Sequence, residues 1–193
     1  MTLDLLRSRV REIGSHYQSR HDRARRLFVE ERAASLHEDR EREYAIKNEI
    51  SNFFGVAYSH VCFTGSGQLG FSIVKERLFE PAVSDLDAAC IDADLFQQAW
   101  IDVIDTSKAF TDSTVFGGGG KGAIDKLKDQ MVRRGMIMID LMPASKLKRS
   151  WTQFQGALGR RHVTLFRSIS IAIYMNEYAF CWKQDSALSR IMR

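Results

Sequence analysis

The chain of 193 residues has only two prolines and three cysteines, and no apolar run approaches the roughly 20 residues that a membrane-spanning helix requires. Cys62, Cys90 and Cys181 are isolated from one another. That spacing excludes a metal knuckle and an even disulfide framework, and leaves buried thiols as the expectation. Charge of one sign is scarce as well: 28 Lys and Arg against 24 Asp and Glu leave a formal +4, too mild to announce a nucleic-acid binder. A short apolar cluster at 3–6 followed by Arg7, Arg9 and Arg11 lacks the order of a signal peptide, so the expected setting is cytoplasmic, with no membrane partner. What is present, 45% apolar and 27% charged residues, excludes collagen-like, mucin-like and wholly disordered classes and suffices for one core. Residues 1–193 read as a single domain.

Three stretches follow one another along it. Residues 1–55 are rich in helix formers, with alternating Arg and Glu that mark a solvated helix face, and fit two or three helices. Residues 60–142 form a core in which Val61, Cys62 and Phe63 make a short strand running into the turn Thr64-Gly65-Ser66-Gly67. Residues 85–92 make a second strand. Alternate side chains of a strand share a face, so Asp85 and Asp87 point one way, and Leu86, Ala88 and Cys90 the other. A helix capped by Asp94 comes next. After a loop at 117–120, Ile124, Leu127 and Met131 give another helix ended by Gly135, and residues 136–142 read as a third strand carrying Asp140, stopped by Pro143. Residues 144–193 add an amphipathic helix through Trp151, Phe154 and Leu158, a fourth strand in which Ile169, Ile171 and Ile173 alternate with small residues, and a final helix from about Glu177. The expected class is α+β, a mixed central β-sheet of about four strands wrapped by helices.

The Gly65-Ser66 turn after a strand, followed by Leu69-Gly70-Phe71-Ser72 and by Ser84-Asp85-Leu86-Asp87 on the next strand, resembles the signature of the nucleotidyltransferase superfamily related to DNA polymerase beta, in a small bacterial branch. The resemblance covers about residues 60–140. It implies that Gly65, Ser66 and Gly67 contact a nucleoside triphosphate substrate, and that Asp85 and Asp87 bind Mg2+ or Mn2+. It also implies a third carboxylate from a neighbouring strand, for which Asp140 is the best candidate, as metal ligand and general base; Asp92 ranks behind it because it falls on the opposite strand face. Phosphoryl transfer explains these residue types, since it needs hard cations beside the phosphates and little covalent work from the protein. One departure stands out: 19 positions separate Ser66 from Asp85, more than the family usually has.

Charge is segregated along the chain. Residues 75–105 hold two cations against eight acids, whereas residues 144–176 hold six cations and no acid. Lys146 and Arg149, with Trp151 and Phe154 interleaved, are therefore candidates for binding the triphosphate or a nucleic-acid acceptor, although the same pattern suits the wet side of a packed helix. The glycine run before Lys121 fails the phosphate-loop pattern, since Val115 stands at its first glycine and Gly122 at its Ser or Thr; it reads as a loop that could close over the site. Asp102 and Asp105 read as solvent-facing, and the five histidines show no ligand-like spacing. The expectation is an enzyme transferring a nucleotidyl group to a hydroxyl acceptor. The rival is a degenerate module of the same fold that binds nucleotide or nucleic acid and acts with a partner protein, as the regulatory half of a bacterial defence or toxin-antitoxin system.

Overall fold

In the computed structural model, which describes residues 2–117 and 120–192, the chain is α+β. The centre of the expected flap, Gly118 and Gly119, lies outside the described residues. Four strands form the sheet: β1 (Val61–Thr64), β4 (Leu86–Ile91), β5 (Met136–Met138) and β6 (Ile169–Tyr174), in the order β1-β4-β6-β5. The central pair β4 and β6 is parallel, and each edge strand is antiparallel to its neighbour. No helix among the described residues is long and apolar enough to cross a membrane.

Alternation decides what covers each face. Val61, Phe63, Leu86, Ala88, Cys90, Ile169, Ile171 and Ile173 point into the larger core, closed by α3 (Arg40–Phe54), α5 (Ala93–Thr106), α6 (Gly120–Arg134) and α7 (Lys146–Arg161). Cys62, Ala89, Met136 and Tyr174 point the other way, toward α1 (Leu3–Ser15), α2 (Arg20–Arg25) and α8 (Glu177–Leu188). Burial of apolar side chains on both faces is the main force holding these layers together. All three cysteines are buried free thiols.

The structure differs from the expected local features at three places. The helix expected from Asp94 is α5, which starts at Ala93 and is capped by Asp92, whose carboxylate accepts from the Leu95 N–H at 2.9 Å. Asp92 therefore serves a helix end. The strand expected over 136–142 pairs only through Met138; Ile139–Leu141 is a 3-10 turn, because Ile139 buries in the larger core and Met142 N–H bonds back to its carbonyl at 3.2 Å. Asp102 is half-buried, and burial pushes its carboxyl up, so only Asp105 is solvent-facing as expected.

The long spacer between the glycine turn and the acidic strand folds into a hairpin. The turn residues form a short helix, α4 (Gly65–Leu69), after which β2 (Phe71–Ser72) pairs antiparallel with β3 (Arg77–Leu78). Phe71 is fully buried in the smaller core and anchors the hairpin, while Arg7 on α1 reaches Glu76 at its tip, at 3.3 Å.

Candidate functional site

The chain leaves β1 at Thr64 and turns sharply at Gly65, where φ is +64°. Positive φ is costly for residues with a Cβ, and space forbids one here too: a Cβ on Gly65 would lie 2.5 Å from Asp87 Oδ2. The glycine turn and the acidic strand, 22 positions apart in sequence, thus meet directly. Gly65→Ala is expected to destabilise the fold by about 2 kcal/mol or more, from αL strain plus the clash. Urea denaturation measures it, and an unchanged midpoint would show that Asp87 does not hold this contact.

Around this meeting point lies a cavity of about 560 Å³ on the smaller-core face of the sheet, lined by Gly65, Ser66, Asp85 and Asp87 among others. Asp87 Oδ1 accepts from Ser170 Oγ at 2.6 Å, across the parallel β4–β6 pair in which the two residues are in register. Asp85 precedes β4 and is held from the loop before β6: Arg167 Nε donates to Oδ1 at 3.0 Å, Arg167 Nη2 to Oδ2, and Ser168 Oγ to Oδ1 at 2.7 Å. Burial raises the Asp85 carboxyl, but the hydrogen bonds from Arg167 and Ser168 and the charges of Arg167 and Lys75 outweigh it and hold it below the usual carboxylate range.

Two groups of cations also line the cavity. Lys75 and Arg77 come from the hairpin that follows the glycine turn; Arg134 comes from the end of α6, which leads into β5, and Lys183 from α8, which follows β6. Burial, then the like charge of Arg134, pushes the Lys183 ammonium down, and the facing charge of Asp87 partly offsets this. None of these four cations stands in the signature. Alternation in β6 was the one local signal available, since it sends Ser170 to the face of Asp87; the cations reach the site only through the tertiary fold.

The remaining candidates lie elsewhere. Gly67 packs on Leu86, whose Cδ1 would be 2.7 Å from an added Cβ, and does not line the cavity. Asp140 is exposed on the 3-10 turn and also stays outside the lining; a strand continued past Met138 would have set position 140 opposite Ser170, and the turn removes it. Lys148 Nζ there donates to the carbonyls of Asp140 and Met142, at 3.0 and 2.6 Å. Lys146 and Arg149 sit on α7, which packs against the larger core through Trp151 and Leu158, across the sheet from the cavity. Trp151 and Phe154 are packing aromatics: Phe154 stacks on Phe53 with centroids 3.9 Å apart, and Trp151 meets Phe54 edge-on at 5.3 Å.

Hard divalent cations take oxygen ligands, and the cavity offers two carboxylates with hydroxyls beside them, a donor set that fits Mg2+ or Mn2+. Among the described residues Asp87 Oδ2 accepts no hydrogen bond, and it occupies the space that the missing Cβ of Gly65 leaves. A second grouping, hidden in the sequence, brings His21, Glu177 and Cys181 within 4.8 Å of one another, but Arg25 Nε already donates to Glu177 there at 2.6 Å. The chain matches no family model, no curated protein and no solved structure.

Proposed function

We propose that this chain is a nucleotidyltransferase that moves a nucleotidyl group from a nucleoside triphosphate to a hydroxyl acceptor. The observation that carries this reading is the contact of Gly65 with Asp87 at the wall of one cavity that Asp85 and Ser66 also line, which joins the glycine turn to the acidic strand. Asp85 and Asp87 would hold the divalent metal, which when bound neutralises phosphate charge and lowers the pKa of an oxygen ligand. Ser66 lies at the turn beside the cavity, where its hydroxyl can approach phosphate oxygens. In the reaction the acceptor oxygen bonds to the α-phosphorus and the bond from that phosphorus to the bridging oxygen breaks. Pyrophosphate leaves with the electron pair, and the hydroxyl proton passes to water in the open cavity.

Two observations favour the rival, a binding module without transfer. The β6 residue in register with Asp87 is Ser170 in place of a third carboxylate, and both oxygens of Asp85 are engaged by Arg167. Two measurements separate the readings. The transferase is expected to gain thermal stability from a nucleoside triphosphate only when Mg2+ or Mn2+ is present, by roughly 2.7 kcal/mol at a hundredfold excess over Kd, and to incorporate labelled nucleotide into an acceptor. Metal-dependent stabilisation without incorporation into small-molecule, protein or nucleic-acid acceptors would decide for the module; neither signal would remove the transferase and any nucleotide-binding module.

A further inference from the structure

We infer that His21, Glu177 and Cys181 form a binding site for Zn2+, and that the ion clips α2 to α8. One imidazole nitrogen, one carboxylate oxygen and the sulfur of these side chains lie within 4.8 Å of one another. None of the three lines the cavity of Asp85 and Asp87, so the site does not depend on what that cavity binds. Glu177 and Cys181 stand one turn apart on α8, on the face that α2 covers; Asp185 continues the same row and accepts from Arg23 of α2. His21 comes from α2 with its ring already oriented. It stacks on Tyr178, with centroids 5.6 Å apart and an interplanar angle of 21°. Its Nε2 faces Glu177 Oε1 at 3.7 Å, and its Nδ1 faces Asp22 Oδ1 at 3.8 Å. A carboxylate beside Nδ1 favours the tautomer that keeps its proton there and leaves Nε2 to bind, as is usual for a histidine on zinc.

The donor set selects the metal. Thiolate and imidazole suit Zn2+, whereas Mg2+ takes oxygen ligands. Zinc bonds of about 2.0–2.3 Å set tetrahedral ligand atoms roughly 3.3–3.6 Å apart, so the 3.7 Å between Nε2 and Oε1 is already close to the span required. Three protein ligands leave the fourth position to water. Packing in the smaller core accounts for the full burial of Cys181, but not for a sulfur that meets an imidazole and a carboxylate. Burial, with the charge of Glu177, pushes this thiol up to about 12; binding forms the zinc–sulfur bond and releases the thiol proton to water. Arg25 is the competitor, since its Nε donates to Glu177 Oε1 at 2.6 Å. It is exposed and can turn away to solvent, and Glu177 Oε2 accepts from no side chain among the described residues. The ion would tie down a helix of six residues at a second point, beside the pair of Arg23 with Asp185.

Titration of the reduced, chelator-treated full chain with Co2+, then Zn2+, tests the site. Wild type is expected to develop a thiolate-to-cobalt charge-transfer absorption that saturates at one equivalent and disappears as Zn2+ displaces Co2+. Zn2+ is also expected to raise the thermal midpoint, which an equal concentration of Mg2+ leaves unchanged. Cys181→Ser should lose the absorption and Cys62→Ser should keep it. His21→Phe preserves the stacking on Tyr178 and disturbs no buried group, so it serves even where Cys181→Ser folds poorly; it is expected to weaken Zn2+ about tenfold or more, with an unchanged midpoint in the absence of metal. Arg25→Gln removes the donor that competes for Glu177 and should tighten Zn2+ about threefold or more. The inference is overturned if wild type gives no charge-transfer absorption, if the absorption survives Cys181→Ser or vanishes in Cys62→Ser, or if His21→Phe binds Zn2+ as wild type does. Binding no tighter in Arg25→Gln would likewise remove Glu177 from the ligands and overturn it. The nucleotidyltransferase reading stands or falls separately, on the nucleotide measurements.

Discussion

Asp87→Asn is expected to lower nucleotidyl transfer by at least about a thousandfold, because a metal-held phosphate draws several kcal/mol of transition-state stabilisation from its carboxylates. The substitution isolates charge from shape. Asn keeps the volume and can still accept from Ser170 Oγ through its carbonyl, so the β4–β6 pairing and the contact with Gly65 remain. The thermal midpoint without ligands should therefore stay near that of wild type, and the shift induced by metal and triphosphate together should vanish. Asp85→Asn should act in the same direction and also release Arg167, since the bidentate pair depends on the negative charge. Turnover retained in Asp87→Asn would end the assignment. A lost ligand shift with lost turnover, in a protein of unchanged stability, would locate the metal at this strand.

The carboxylates were legible in the sequence because strand alternation is a local property. Once residues 86–91 are a strand, Leu86, Ala88 and Cys90 must share one face and Asp87 and Ala89 the other, whatever else the chain does. The glycine turn was legible for the same reason, since positive φ at Gly65 is set within a few bonds. The four-stranded mixed sheet followed from counting alternating segments between helices. The cations failed the same test. An amphipathic helix such as α7 looks alike whichever face of a sheet it covers, and only the crossover connections decide that Lys146 and Arg149 stand across the sheet from the cavity. Conversely, Lys75 lies in a segment with no clear pattern and Lys183 in a helix with apolar residues on several sides, so nothing local marks either as a site residue. Asp140 shows the limit of period-two reasoning: it would have been right for a strand that continued, and one 3-10 turn set by the burial of Ile139 changed its direction.

Asp185→Ala is expected to cost about 3–5 kcal/mol of folding stability, the range for breaking a buried ion pair from one side. Asp185 is 2% exposed on α8; Arg23 Nε of α2 donates to its Oδ1 at 2.9 Å, Arg23 Nη2 donates to the same oxygen, and Ser189 Oγ donates to Oδ2 at 3.3 Å. The pair ties α2, six residues long and too short to persist alone, to the helix over the smaller core. Arg23 cannot escape to solvent when its partner is removed, because it is packed below α1, where a Cβ on Gly14 would lie 2.9 Å from its Cδ. Truncation thus strands a guanidinium in a poorly solvated place, and that penalty dominates the loss. Replacing both members by apolar side chains, Arg23→Met with Asp185→Leu, should recover most of the stability, since it removes the charge along with its partner. Urea denaturation of the three proteins checks this, and a loss below about 1 kcal/mol for Asp185→Ala would mean that α2 and α8 are held by their apolar contacts. The consequence reaches the cavity, because Lys183 stands two positions before Asp185 on the same helix. A triphosphate with metal, bound only by the folded cavity, should raise the midpoint of Asp185→Ala by as much as that of wild type if α8 keeps its place, and by less if loosening α2 also shifts the Lys183 wall.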